Sequence, residues 1–164
     1  MINTVIIPYF FRFVFYTFFG LSLEIIFSVT GIEKLLGTKI NKRCPENYLE
    51  GFVSLYMIPL HGLGLLFGFE FLHNIIANYF LGIRFIIWAL LFTICEIIWG
   101  FVLDKIIGFY PWNYYAYSKY KIFNKGYSLW TLIPMWGIAG IFIEYYSQLL
   151  IYLSPYATKW FISL

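Results

Sequence analysis

The chain has 164 residues, of which 62% are apolar, 24% aromatic and only 12% charged, and its formal net charge is +3. Soluble domains carry about 25% charged residues, so this composition excludes an ordinary water-soluble protein and predicts an integral membrane protein. No polar or charge-rich linker divides the sequence, which predicts a single domain over residues 1–164. The positive charge is explained by two loops described below, and no nucleic-acid partner is predicted.

Four segments are apolar over about 20 residues, the length that a helix needs to cross a bilayer. The sequence therefore predicts an all-α membrane protein, a bundle of about four transmembrane helices with an aromatic-rich loop between the third and the fourth. The last segment is long enough to tilt, or to bend at Pro134. The predicted spans are residues 13–32, 51–75, 80–103 and 127–153.

Lysine and arginine are concentrated in the loops after the first and third spans. Cytoplasmic loops of membrane proteins carry such an excess, so these basic loops are predicted to be cytoplasmic and both termini outside. The basic loops hold Lys34, Lys39, Lys42, Arg43, Lys105, Lys119, Lys121 and Lys125, whereas the other side has Arg12, Arg84 and Lys159.

Each predicted span carries one glutamate, although a charge in hydrocarbon costs about 2.5–3.5 kcal/mol on insertion scales. Near three of these glutamates a glycine lies one turn away, which places the carboxylate on a face that permits close packing. A rise of about 1.5 Å per residue predicts two tiers of facing acids. The inner tier is Glu24 and Glu96, with Asp104 at the inner end of the third span, and the outer tier is Glu70 and Glu144.

Facing carboxylates do not both ionise readily, so each tier is expected to hold a proton or a cation. Within the spans, only His61, His73 and Arg84 are considered as compensating groups. His73 follows Glu70 by three residues, the spacing found in four-helix di-metal proteins. Such a site needs two of these motifs and the chain has one, so neither a metal site nor a cofactor is predicted. A protonated glutamate bonded to a neighbouring helix explains any single position equally well.

The second predicted span interrupts its apolar run with Pro59, Gly62, Gly64 and Gly68. Close helix packing and a broken helix that lines a binding site both account for this pattern. His61, beside the break, is a candidate for a hydrogen-bonding core residue, a proton carrier or a contact to a lipid headgroup.

The aromatic loop contains Trp112 and Tyr114 close to the end of the third span. Aromatic side chains at that depth are typical of interfacial anchors. The alternative is an aromatic lid that contacts a substrate or a lipid headgroup beside Asp104 and Lys105.

Four motifs occur in the order FFGLSLE, PLHGLG, CEIIWGFVLDKIIGFYPWNY and NKGYSLWTLIPMWG. In this order they resemble bacterial membrane proteins labelled type IV ABC-transporter permeases (CmpB-like), to which the animal transmembrane protein 229 family is similar. The resemblance implies a membrane location, here a bacterial inner membrane, and a permease-like role without a known substrate. The third motif would match the family at Glu96, Asp104, Gly108, Trp112, Asn113 and Tyr114, with Asn113 in place of the usual Asp.

Three functions remain open. The first is a transport component in which intramembrane acids bind a proton, a cation or a cationic solute. The second is a membrane-embedded enzyme for a lipid or lipid-linked substrate, with Glu96 or Asp104 as general base and His61 as acid. The third is an accessory or structural subunit of a membrane complex. The expected partners are membrane lipids, other subunits or a second copy. The candidate binding residues are Glu24, His61, Glu96, Asp104, Trp112 and Tyr114, with Glu70, His73 and Glu144 as a second tier.

Overall fold

Helices make up most of the described chain, and a small hairpin lies between the last two. The computed structural model describes residues 2–40, 44–45 and 48–163. The helices are α1 (Ile2–Thr30), α2 (Ile32–Leu36), the π-helix π1 (Pro59–Phe69), which continues directly into α3 (Glu70–Ile76), α4 (Leu81–Ile107) and α5 (Ile133–Ser163). Strands β1 (Lys121–Ile122) and β2 (Ser128–Leu129) pair antiparallel, and 3₁₀ turns lie at Leu55–Met57, Asn113–Tyr117 and Trp130–Leu132.

Three helical segments of the described chain are long and apolar enough to cross a membrane. They are Thr4–Thr30, Leu55–Ile76 and Leu81–Ile107. The prediction of a mostly helical protein with transmembrane helices is thereby confirmed for these three. Helix α5 is not among them, because polar side chains such as Glu144, Ser147 and Gln148 interrupt its apolar run.

Two of the predicted span boundaries are wrong. Residues 51–54 are not helical, and the Phe52 N–H donates a 2.9 Å hydrogen bond to Ser28 Oγ, which fixes this segment to α1. Residues 127–129 lie in or next to β2, and α5 begins only at Ile133. Pro134 therefore lies in the first turn of α5, where its missing N–H is not needed, and it does not bend the helix.

The long helices pack around two buried clusters. Helix α5 packs against α4 and α1, and α1 also packs against π1. One cluster lies among the helices and includes Tyr16, Phe69 and Trp88, with the Phe69 and Trp88 rings stacked at 4.2 Å. The other lies where the third-to-fourth connection folds back onto the bundle, and it includes Trp112 and Leu129.

The aromatic-rich connection, residues 108–132, forms a folded cap rather than an open loop. Gly126 has φ +71°, and a Cβ there would lie 2.7 Å from backbone atoms of Tyr115 and Ala116, so the hairpin turn requires glycine. The Trp112 Nε1–H donates a 2.8 Å bond to the Tyr127 carbonyl, and the Trp112 ring packs over Gly100 of α4. Trp112 is buried, and the cap is fixed to α4.

The glycines of π1 differ in the space around them, which gives a matched pair of substitutions. A Cβ at Gly62 would overlap the Phe13 ring of α1 and lie 2.6 Å from Thr17 Oγ1, whereas a Cβ at Gly68 meets nothing within 4 Å. We expect Gly62→Ala to lower the free energy of unfolding by about 1–3 kcal/mol through overpacking. Gly68→Ala should be neutral or stabilise by up to about 1 kcal/mol. Thermal unfolding in detergent would measure both, and equal effects would contradict this account of the α1–π1 contact.

Candidate functional site

The outer-tier carboxylate of Glu144 is buried on α5 and fully partnered. Its side chain is 2% exposed, and Arg84 NH1 of α4 donates to Oε2 at 2.7 Å. The Trp88 Nε1–H, also on α4, donates to Oε1 at 2.6 Å. The α4–α5 contact is therefore built around one ion pair and one charge-assisted hydrogen bond.

Glu70, the second acid of the outer tier, is neutralised by Arg12 of α1. Arg12 Nε lies 2.9 Å from Glu70 Oε1, and the Tyr16 hydroxyl lies 2.9 Å from the same oxygen. The Tyr16 hydroxyl also lies 2.6 Å from Ser147 Oγ, which brings α5 into the network. The expectation that only His61, His73 and Arg84 compensate the acids is wrong, because Arg12 is buried inside the bundle.

His73 does not join Glu70 in a shared ligand set. Its Nδ1 lies 3.5 Å from Glu144 Oε1, and its Nε2 lies 3.3 Å from Gln148 Nε2. Glu70 instead meets Arg12, so the Glu-x-x-His spacing does not converge on one point. In the described residues, no group of three or more His, Cys, Asp or Glu side chains could hold a metal ion.

The inner-tier residue Glu24 is paired with an imidazole from π1. His61 Nε2 lies 2.8 Å from Glu24 Oε1, and the Glu24 side chain is 29% exposed. A Cβ at Gly20 would overlap the His61 ring, so glycine is needed one turn before the acid to admit its partner. Gly140 gives Trp88 the same room one turn before Glu144, and Gly100 admits Trp112 and Tyr127 one turn after Glu96.

Glu96 is buried on α4 and is bonded by neutral donors. Ser128 Oγ of β2 donates to Oε2 at 2.5 Å, and the Trp136 Nε1–H of α5 donates to the same oxygen at 3.1 Å. The residue is 6% exposed, and neither donor is a cation. The hairpin and the start of α5 thus converge on one oxygen of this carboxylate.

Two tyrosines of the cap lie in the field of both inner carboxylates. Burial raises the pKa of the Tyr114 phenol, and the charges of Glu24 and Glu96 raise it further. Burial likewise raises the pKa of the Tyr115 phenol well above its usual value, again with contributions from both carboxylates. Both phenols therefore stay protonated and can act as hydrogen-bond donors beside the acids. The name inner cluster is used below for Glu24, His61, Glu96, Tyr114, Tyr115 and Ser128.

The predicted facing of glutamates differs between the two tiers. Glu24 and Glu96 of the inner tier lie close enough to interact electrostatically, whereas each outer acid meets an arginine. The outer tier thus contains two carboxylates and two guanidinium groups. The inner cluster contains two carboxylates and one imidazole.

Asp104 and Trp112 make contacts that hold the cap on the bundle. The Tyr127 hydroxyl donates to Asp104 Oδ2 at 2.7 Å, and Lys125 Nζ lies 3.5 Å from the same oxygen. Together with the Trp112 bond to Tyr127, these contacts fix the cap to the end of α4. We therefore assign Asp104 and Trp112 to the cap rather than to the inner cluster.

Sequence reasoning missed Ser128 and Trp136, the two donors to Glu96. Both occur in the NKGYSLWTLIPMWG motif, which covers the end of the cap and the first residues of α5. Gly126 indicates a turn at this place in the sequence. The bonds from Ser128 and Trp136 to Glu96, however, depend on contacts between distant parts of the chain.

Comparisons with known proteins were made by sequence and by structure. No model of a known protein family matches the chain, and neither a curated protein nor a solved structure matches it significantly. The function is inferred below from the chemistry of the two tiers.

The ion pair between Arg84 and Glu144 allows the contribution of charge pairing to the free energy of unfolding to be measured. Glu144→Gln leaves the Arg84 guanidinium buried without its counter-charge, so we expect a loss of about 3–5 kcal/mol in the free energy of unfolding. The double variant Arg84→Met, Glu144→Gln removes both charges and should recover a large part of that loss. The measurement is a double-mutant cycle by thermal or denaturant unfolding in detergent.

Lys159→Gln, an exposed change on α5, serves as the control for handling and detergent effects. It should leave stability unchanged within about 0.5 kcal/mol. Strict additivity of the Arg84 and Glu144 effects would show that the two side chains do not stabilise each other.

Proposed function

We propose that the chain is a transport-related, permease-like membrane component whose inner cluster binds a proton, a cation or a cationic solute. The observation that carries this proposal is the unequal charge balance of the two tiers. Arg12 and Arg84 neutralise Glu70 and Glu144, whereas within the described part of the chain Glu96 accepts hydrogen bonds only from a hydroxyl and an indole. A buried carboxylate without a counter-charge favours either a bound proton or an incoming cation.

Helix α5 is proposed to be the fourth span. Its 31 residues would extend about 46 Å as a helix, enough to cross a bilayer with tilt. Its polar side chains Glu144, Ser147 and Ser154 are buried against the bundle, while Ile138, Phe142 and other apolar residues are exposed. The surface that α5 would offer to lipid is therefore more apolar than its composition indicates.

The proposed orientation places the basic cap end in the cytoplasm and both termini outside, in a bacterial inner membrane. Two of the three basic residues assigned to the outer side form ion pairs, of which Arg12 is buried and Arg84 is half-buried. Because Arg12 and Arg84 are paired within the bundle, Lys159 is the exposed member of the three outer basic residues. The excess of exposed basic residues on the cytoplasmic side, which orients membrane helices, is thus larger than the sequence count indicates.

Cation entry at the inner cluster has a defined local consequence. A cation that binds Glu24 competes with His61, which holds Glu24 Oε1 at 2.8 Å. His61 belongs to π1, and π-helical backbone is rare and often marks functional sites. Release of His61 would allow π1 to change its packing on α1, which supports a transport role over a purely structural one.

A catalytic role receives less support from the same geometry. Ser128, the hydroxyl that bonds Glu96, is 0% exposed, and the Asp104 carboxylate is bonded to Tyr127 within the cap. A general base must reach the proton that it removes from a substrate. Glu96 is buried with one oxygen held by two donors, and the partly exposed Asp104 already accepts the Tyr127 hydroxyl and lies beside Lys125.

The proposal predicts that Glu96→Gln abolishes cation binding without unfolding the protein. The amide keeps a hydrogen-bonding group against Ser128 and Trp136 but cannot carry the charge that attracts a cation. Isothermal titration of purified protein in lipid nanodiscs with sodium, potassium and tetramethylammonium, at several pH values, would measure binding and linked proton release. The thermal unfolding midpoint should stay close to that of the unchanged protein.

Glu33→Gln is the matched control, because Glu33 lies on α2 outside the inner cluster and bonds the Ile40 N–H. It should leave binding intact. Unchanged binding in Glu96→Gln would refute the proposal. The absence of any cation binding or linked proton uptake by the unchanged protein would also refute it and favour an accessory subunit.

A further inference from the structure

Exposed lysines are concentrated at the cap end of the bundle. Lys34 lies in α2, Lys39 follows it, Lys105 lies in the last turn of α4, and Lys119 and Lys125 belong to the cap. The Lys125 side chain is 66% exposed. These five residues are called the basic collar below.

The described carboxylates of this end, which also accept hydrogen bonds from the chain, offset part of the collar's charge but are fewer than its lysines. Glu33 Oε1 accepts the Ile40 N–H at 2.9 Å, and Glu50 Oε2 accepts the Cys44 N–H at 3.0 Å. Asp104 accepts the Tyr127 hydroxyl, although it also lies 3.5 Å from Lys125. Among the described residues of this end, the five collar lysines and Lys121 outnumber these three acids, so the net charge is positive.

Apolar and aromatic side chains project beside the collar. Ile106, Tyr117 and Phe123 are 75%, 84% and 66% exposed. Phe123 lies in the hairpin turn with φ 60°, a backbone conformation uncommon for a bulky residue, so the turn fixes its ring outward. Large apolar groups on an exposed turn among cations are typical of surfaces that enter the headgroup region of a bilayer.

Lys105 marks the level at which the lipid-facing surface ends. Its ammonium lies 5.7 Å from the ring centroid of Phe101, an exposed residue of α4. Phe101 lies one turn nearer the middle of α4, so the ammonium packs back over an exposed aromatic ring in a cation–π contact. Phosphate groups of the adjoining leaflet would lie at this level.

We propose that the basic collar docks on anionic phospholipid headgroups, with Phe123 and Tyr117 inserted among them. Juxtamembrane lysines attract anionic lipid within a Debye length, and five such residues on different sides of the cap can contact several headgroups. The cap holds Ser128 against Glu96, so headgroup docking also stabilises one wall of the inner cluster. The inference rests on the proposed membrane placement but not on transport.

The test compares retained lipid and stability in detergent with added phosphatidylglycerol, phosphatidylcholine or inorganic phosphate. Phosphatidylglycerol should raise the thermal unfolding midpoint of the unchanged protein more than the other two, and native mass spectrometry should detect bound phosphatidylglycerol. The triple variant Lys105→Gln, Lys119→Gln, Lys125→Gln should retain less phosphatidylglycerol, with a reduction of about fivefold for each lysine removed. Raising the salt concentration to about 1 M should also reduce the extra increase in unfolding midpoint that phosphatidylglycerol gives.

Lys159→Gln, at the far end of α5, is the matched control and should keep the full phosphatidylglycerol effect. The triple variant must also keep its unfolding midpoint in plain detergent, and Phe123→Ser alone provides a second, charge-neutral variant with weaker lipid retention. Equal stabilisation by phosphatidylcholine, by phosphate alone, or of the triple variant would overturn the proposal. A tightly bound acidic protein that excludes phosphatidylglycerol from the collar would overturn it in favour of a protein partner. Cation binding at Glu96 is measured separately, so either proposal can fail while the other holds.

Discussion

The cost of placing a carboxylate in hydrocarbon determines how the helices of this chain pack. Each glutamate in a helix must find a donor or a cation on another element, since its own helix supplies none at that position. Glu144 finds Arg84 on α4, Glu70 finds Arg12 on α1, and Glu24 finds His61 on π1. These pairings determine which helices lie together. Lipid tails are as apolar as the helix faces, so hydrophobic burial alone does not favour one helix contact over another.

Glycine lets these partners reach the acids. Residues one turn apart share a helix face, so a side chain that bonds the acid must cross the surface of that neighbouring residue. The His61 ring occupies the space that a Cβ at Gly20 would take, and the Trp88 ring does the same at Gly140. The small residue therefore serves the polar contact as well as close helix packing. Removing the glycine would displace the ring that satisfies the carboxylate.

Local patterns in the sequence predict three of the long apolar helices, because the length and composition of an apolar helix depend on one segment alone. The partners of the acids could not be predicted this way. Arg12 precedes Glu70 by 58 positions, and Ser128 follows Glu96 by 32, so only the folded bundle and the hairpin bring them together. The Glu-x-x-His pattern misled for the same reason, since His73 points toward Glu144 on another helix. Whether the inner cluster binds a cation stays a prediction.

The basic collar and the inner cluster lie at the same end of the molecule and are linked through the cap, whose Ser128 bonds Glu96. The collar creates a positive potential near Glu24 and Glu96, and such a potential lowers the local concentration of cations. An uncovered collar would thus oppose the binding that the inner carboxylates favour. Anionic headgroups on the collar would offset this potential while leaving the carboxylates charged. A bilayer rich in anionic lipid would accordingly strengthen cation binding at the inner cluster, because the headgroups offset a repulsion that the fewer acids of this end balance only in part.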